Sequence, residues 1–314
     1  MSRRASGGAV RRALAGGRWH FQHGPIDCVI AAAGDDTAVA IAIEVAWARF
    51  RTLLVELTGE LPLLRADLSS GAIAEPRGSV ARRMVAACRP HSADGRFITA
   101  MAAVAGSVAE ELLFAFDDPR IARAAINNGG DIALRLTGEA SYAVGVCADP
   151  VRGVLGAPLG GRFAVGASGP VRGIATSGWR GRSFSLGIAD SVTVLATSAA
   201  VADAAATIVA NAVDLDDGRI ARAPASSIRD DSDLGDRLVT RAVPPLPAPL
   251  VDAALARGAA EARAQINAER IIAAVLSLQG RWRVVGDVGR RLDLAPPRAA
   301  PSASIRDERA VAAC

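Results

Sequence analysis

Apolar and polar positions along the chain alternate between two periods. Asp27 to Ala33, Asp-Cys-Val-Ile-Ala-Ala-Ala, reads as a strand, and from Asp36 to Glu56 the spacing of Ile41, Val45, Ala48 and Leu53 is helical. Further helices are expected at Ser79 to Ala87, at Thr99 to Phe116, and briefly at Pro119 to Ala125, where an Asn-Asn-Gly-Gly turn stops the run. Strand character resumes with Ile132-Ala-Leu-Arg-Leu. From Tyr142 to Ala175 short apolar stretches are broken by Gly, Pro and Asp, the pattern of an antiparallel meander. Ser191 to Ala196 is a β-branched strand, Ala199 to Val213 an Ala-rich helix, and a last helix is expected from about Pro249 to Leu278. Helices and strands come in blocks without strict alternation, so the fold class is α+β and not a doubly wound sheet.

Composition narrows the picture. A chain of 314 residues can bury a sizeable core. A single ordered domain is expected over residues 19–290, after a disordered basic leader (1–18) and before a disordered tail rich in Pro, Ser and Ala (291–314). The leader carries Arg3, Arg4, Arg11, Arg12 and Arg18 without the apolar stretch of a secretory signal. Aromatic residues are only 4% of the chain and about a fifth is Ala, so the mean hydropathy of +0.26 reflects small methyl side chains. No uncharged apolar run reaches the ~18 residues of a membrane span, which implies a soluble, cytoplasmic protein with no membrane partner. All 36 basic residues are Arg, and the absence of Lys excludes Schiff-base and P-loop lysine chemistry. They are interleaved with 32 acidic residues, for a net charge of +4, so no nucleic-acid footprint is drawn. Cys28, Cys88, Cys147 and Cys314 lie far apart, against a structural zinc or iron–sulfur site and for reduced thiols.

Three constellations could carry chemistry. In the helix after Ser198, Asp203, Thr207 and Asn211 recur every four residues and share one face among Ala and Val. A carboxylate there needs an arginine, backbone donors or a hard cation such as Mg²⁺, whose oxygen ligands these are. Asn127, Asn128, Gly129, Gly130 and Asp131 form a turn whose glycines allow close backbone approach and whose amides suit a phosphate or an adenine edge; an ordinary capped turn reads the same way. Thr176, Ser177, Gly178, Trp179, Arg180 and Arg182 crowd into one loop, where arginines can fork onto phosphates and Trp179 can stack on a heterocycle; solvated arginines on a Gly-rich turn are the bland alternative. His20 and His23 sit on opposite faces of a strand with no third ligand, so they make no zinc site, though one of them can line a ligand site. Asp230-Asp-Ser-Asp-Leu-Gly lacks the spacing of a calcium loop and is read as a solvated cap or turn.

Asn-Asn-Gly-Gly-Asp-Ile (127–132), Ala-Thr-Ser-Gly (175–178), Ser-Val-Thr-Val-Leu-Ala (191–196) and Ala-Asp-Ala-Ala-Ala-Thr (202–207) occur in the order found in ApbE-like proteins, the FAD:protein FMN transferases. His-Phe-Gln-His-Gly-Pro-Ile-Asp, Met-Ala-Ala-Val-Ala-Gly and Asp-Ser-Asp-Leu-Gly resemble more closely an ApbE-related family of bacteria and archaea, over about residues 19–280. The resemblance implies tandem T-fold-like halves, antiparallel sheets packed by helices, with a flavin-nucleotide cleft between them. It also implies Mg²⁺ held by Asp203, Thr207 and a backbone carbonyl near Val104 and Ala105, with FAD or FMN as cofactor.

Two features depart from the transferases. Their Lys-Gly pair is Ala105-Gly106 here, and their His-Ile-Ile-Asp-Pro-x-Thr-Gly segment is replaced by Trp179 to Asp190, which holds no histidine. Asp190 or a first-strand histidine is then the remaining candidate general base. The resemblance leaves three roles open: a protein binding a small nucleotide-like ligand, a divergent FMN transferase acting on FAD and a protein acceptor, or a non-catalytic partner in sulfur (homocysteine) or one-carbon metabolism. A homo-oligomer is also open.

Overall fold

A computed structural model describes residues 7–71, 73–147, 159–288 and 310–313. In chain order its elements are β1 (Val10–Ala13), β2 (Trp19–His23), β3 (Ile26–Gly34), α1 (Asp36–Gly59), α2 (Leu61–Leu64), α3 (Ser79–Cys88) and α4 (Val104–Leu113). There follow β4 (Ile121–Asn128), β5 (Asp131–Leu136), β6 (Ser141–Cys147), β7 (Leu159–Gly166), β8 (Gly173–Ser177), β9 (Ser191–Ala196) and α5 (Ala199–Ala212). The last are β10 (Ala221–Pro224), α6 (Ala225–Ile228), β11 (Leu238–Ala242), α7 (Ala248–Asn267), β12 (Ala273–Leu278), β13 (Arg281–Gly286) and β14 (Ala310–Ala313).

Nine strands form one antiparallel sheet in the order β1-β2-β3-β4-β5-β8-β9-β12-β13. A repeat invisible in the sequence is plain in this order. The hairpin β2-β3, the helices α1 to α4 and the hairpin β4-β5 make one half; the hairpin β8-β9, the helices α5 to α7 and the hairpin β12-β13 repeat the plan. In each half the second hairpin enters beside the inner strand of the first, and β5 meets β8 at the seam. The mixed helical and antiparallel content is α+β, as expected.

Two apolar clusters lie between the sheet and its helices, one per half, and share Val201 of α5 at their border. A third fills the opposite face, where Ile132, Leu134 and Leu136 of β5 point toward Tyr142 and Val144 of β6 and Phe163 and Val165 of β7, the two-residue period of a strand. Helix α5 is buried almost all round by Ala, Val and Ile. Small residues let α4 come close: a methyl group on Gly106 would overlap the Ala199 carbonyl oxygen.

Four expectations need correction. Pro119 to Ala125 is not helical, because Ile121–Asn128 pairs on both sides with β3 and β5, and so short an Ala-rich run has too little intrinsic helicity to resist. The last helix ends at Asn267; Ala-Ala-Val-Leu-Ser-Leu (273–278) is a strand buried on both faces, whose mostly apolar run, broken only by Ser277, mimics a helix segment. Within the leader, Val10–Ala13 adds an exposed edge strand to β2, and the Arg11 guanidinium lies 5.4 and 5.3 Å from the rings of Trp19 and Trp47 while pairing with Glu44 at 2.7 Å. Within the tail, Ala310–Ala313 runs parallel to β6; residues 291–309 and 314 lie outside the described residues.

Candidate functional site

At the end of the sheet marked by the β4-β5 turn, a cleft of about 830 Å³ opens between the halves. Asp203 and Thr207 stand one turn apart on α5 and line it together with Ala105 of α4. Asp203 Oδ2 accepts the Gly106 N–H at 2.9 Å, and the Asn128 side-chain amide donates to the Ala105 carbonyl at 3.1 Å. Asp131, the first residue of β5, is 9% exposed and its Oδ1 accepts the Thr176 N–H at 3.0 Å.

These two carboxylates sense each other's charge. Burial pushes Asp131 up to about 7, against the pull of the Thr176 N–H and the Arg182 guanidinium. Burial, followed by the negative charge of Asp131, raises Asp203 well above the usual carboxylate range, with the N–H groups of Gly106 and Ala105 opposing. Among the described residues no arginine forms an ion pair with either, so the alternative in which Asp203 pairs with an arginine does not hold. No group of three or more His, Cys, Asp or Glu gathers as a metal cluster among the described residues. The donors present are all oxygen, namely two carboxylates, the Thr207 hydroxyl and the Ala105 carbonyl, and that set fits a hard cation such as Mg²⁺.

The Asn-Asn-Gly-Gly-Asp turn also lines the cleft, but its asparagine side chains serve the chain itself. Asn127 Oδ1 accepts the Gly130 N–H at 2.8 Å, and Asn128 Oδ1 accepts the Asp27 N–H at 3.3 Å. Gly129 has φ +67°, and the Arg182 guanidinium occupies the space that its Cβ would need. The turn thus packs an exposed cation against bare backbone, beside Asp131.

From the 176–190 segment, Thr176, Ser177, Gly178, Arg180 and Arg182 reach the cleft, whereas Trp179 and Asp190 do not line it. Asp190 is held from three sides: the Gln279 N–H at 2.5 Å, Arg180 Nε at 3.1 Å and Trp179 Nε1 at 3.3 Å. The Arg180 guanidinium in turn lies 5.0 Å from the Trp179 ring centre. Trp179, expected to stack on a ligand ring, and Asp190, the expected candidate base, are thus placed behind the cleft wall, where they brace the loop. Asn211 braces it too, accepting from the Ser185 hydroxyl at 3.1 Å and the Leu186 N–H at 2.9 Å.

The sequence reading missed part of the wall. Asp231 and Asp233, expected in a solvated cap, line the cleft, with Asp231 paired to Arg65 at 3.0 Å and Asp233 accepting from the Thr99 hydroxyl at 2.5 Å. Their signal was the acidic Asp-Ser-Asp motif itself. Phe97, Met101 and Phe184 add apolar surface, and Asp27 lines the wall with His20 behind it, its Nε2 2.8 Å from Asp27 Oδ1. No histidine lines the cleft among the described residues. His91 is buried elsewhere against Gln265, where burial lowers it to about 4 and keeps it neutral. Cys28 and Cys88 are buried free thiols pushed upward by burial, which makes them unreactive. No helix of the described residues is long and apolar enough to cross a membrane.

The chain is similar to several known proteins. The UPF0280 protein of Methanopyrus kandleri is 37% identical over 131 residues, covering 42% of this chain and 50% of that protein. A UPF0280 protein of Methanosphaerula palustris is 36% identical over 136 residues, covering 43% and 53%. The chain thus spans about half the length of the curated relatives it matches. Among solved structures, the flavin transferase ApbE from Vibrio cholerae aligns with 88% of this chain and 96% of its own at 14% identity, with a TM-score of 0.33. The family model described as AbpE bacteria matches residues 11–284, most of the sequence, and the chain belongs to that family.

Proposed function

We propose that the cleft binds a flavin or another nucleotide by its phosphates together with Mg²⁺. The observation that carries this reading is the all-oxygen lining of one cleft by Asp131, Asp203, Thr207 and Ala105, where burial raises both carboxylates and the charge of Asp131 raises Asp203 further. Such a pair costs the free protein stability, and a divalent cation relieves it. The ion would be held by Asp203, Thr207 and the Ala105 carbonyl, with Asp131 facing it, and would neutralise phosphate charge. Arg182 stands beside the same turn as a fork for phosphate oxygens, and Phe97, Met101 and Phe184 supply apolar surface for a ring.

Thermal unfolding with FAD, FMN and ADP, each with and without Mg²⁺, tests the reading on the wild type and on Asp203→Ala. A ligand bound by the folded state alone raises stability by RT ln(1 + [L]/Kd). The expected result is a rise in midpoint that Mg²⁺ enlarges, with the Mg²⁺-dependent part lost in Asp203→Ala. No rise with any nucleotide contradicts nucleotide binding, and an unchanged Mg²⁺ dependence in the variant contradicts the ion's placement.

A further inference from the structure

Five carboxylates line the cleft among the described residues: Asp27, Asp131, Asp203, Asp231 and Asp233. Asp203 lies within the field of Asp131, Asp231 pairs with Arg65, and Asp233 takes the Thr99 hydroxyl. Asp27 is in a different setting. Its side chain is 42% exposed, and its contact is with an imidazole.

The sheet register explains the pair. Across β2 and β3, His20 lies opposite Val29 and Gln22 opposite Asp27, so His20 and Asp27 are diagonal neighbours on one face. Phe21, Cys28 and Ile30 take the other face and enter the core beneath the helices. The Asp27 backbone is fixed as well, because its N–H donates to Asn128, whose amide reaches the Ala105 carbonyl beside Asp203. One short chain of hydrogen bonds therefore joins the Asp27 backbone to the cation donors. A carboxylate can only accept, so His20 Nε2 carries the proton of the 2.8 Å bond and Asp27 Oδ1 receives it. The second oxygen of Asp27 is left to take a proton while that bond stays in place.

We infer that Asp27 is the general base of a phosphoanhydride cleavage in this cleft and that His20 is its positioning residue. The inference rests on the nucleotide reading above. An O–H nucleophile, water in the simplest case, attacks phosphorus. The new O–P bond forms, the bridging P–O bond breaks with its electron pair going to the departing phosphate, and the nucleophile's proton passes to Asp27. From FAD and water the products are FMN and AMP; from ADP and water they are AMP and phosphate.

Steady-state turnover of FAD and of ADP with Mg²⁺ tests this on the wild type, Asp27→Asn and His20→Gln, with the thermal shift of each nucleotide measured in parallel. The expected result is a fall in kcat of about 10²-fold or more for Asp27→Asn, the usual worth of a general base, and a smaller fall for His20→Gln with KM unchanged. Both variants keep the wild-type nucleotide shift, which shows that they fold and bind. Wild-type binding without turnover, or full kcat in Asp27→Asn, overturns the inference while leaving the binding reading intact. An absent nucleotide shift in the wild type instead removes the binding reading.

Discussion

Asp190 and Asp203 are both carboxylates set into the second half of the molecule, and the chain treats them oppositely. Asp190 receives a backbone N–H at 2.5 Å, a guanidinium at 3.1 Å and an indole N–H at 3.3 Å. Asp203 receives backbone N–H groups and lies within the field of a second carboxylate. A carboxylate removed from water needs compensating donors or an opposite charge. Asp190 has its complement within the chain, so it is a brace. Asp203 and Asp131 have backbone N–H donors but no ion-pair partner among the described residues, and they stand where the cleft is open to a ligand. The difference separates structure from function more sharply than residue type does.

The comparison breaks if the two sites respond alike to mutation. Asp190→Ala removes the acceptor of the Gln279 and Trp179 N–H groups and one ion-pair partner of Arg180, and is expected to cost about 3 kcal/mol in urea denaturation. Asp203→Asn removes a repulsion, so the ligand-free protein at pH 8 is expected to lose nothing or to gain slightly. Equal losses at both positions would show that Asp203 is also a brace.

A smaller effect follows from pH. In the unfolded chain Asp131 titrates near the ordinary carboxylate value, about 4, and in the fold it is pushed up to about 7. A folded-state value above the unfolded one means that the fold binds the extra proton between those limits. The ligand-free protein is therefore expected to lose stability as pH rises from about 4 to 7, with the raised Asp203 adding to the loss in the same direction. Denaturation midpoints across that range are expected to flatten in Asp131→Asn and with saturating Mg²⁺. A slope that neither change alters would place the titrating groups elsewhere.

Much of the cleft was legible because its parts carry local signals. Every-fourth-residue spacing put Asp203 and Thr207 on one face of α5, and paired glycines marked the turn before Asp131. What was not legible depends on partners distant in sequence. Asp190 is braced by Gln279, which lies 89 residues away, and nothing around Asp190 announces it. The asparagines looked like ligand donors, yet Asn127 closes its own turn and Asn128 ties Asp27 to α4. The Asp27 and His20 pair requires the register of β2 against β3, which periodicity alone does not supply. In the fold, β4 and β12 were misread because Ala-rich and mostly apolar runs suit either period, and sheet pairing decided between them.

Calorimetric titration of the wild type with Mg²⁺ and ADP near pH 6.5, in two buffers of different ionisation enthalpy, tests the central claim most directly. The account predicts Mg²⁺-dependent binding that releases protons, as the raised carboxylates ionise to receive the cation, and loss of that release in Asp203→Asn. Binding of Mg²⁺ with no proton release, or a release unchanged in Asp203→Asn, would contradict it.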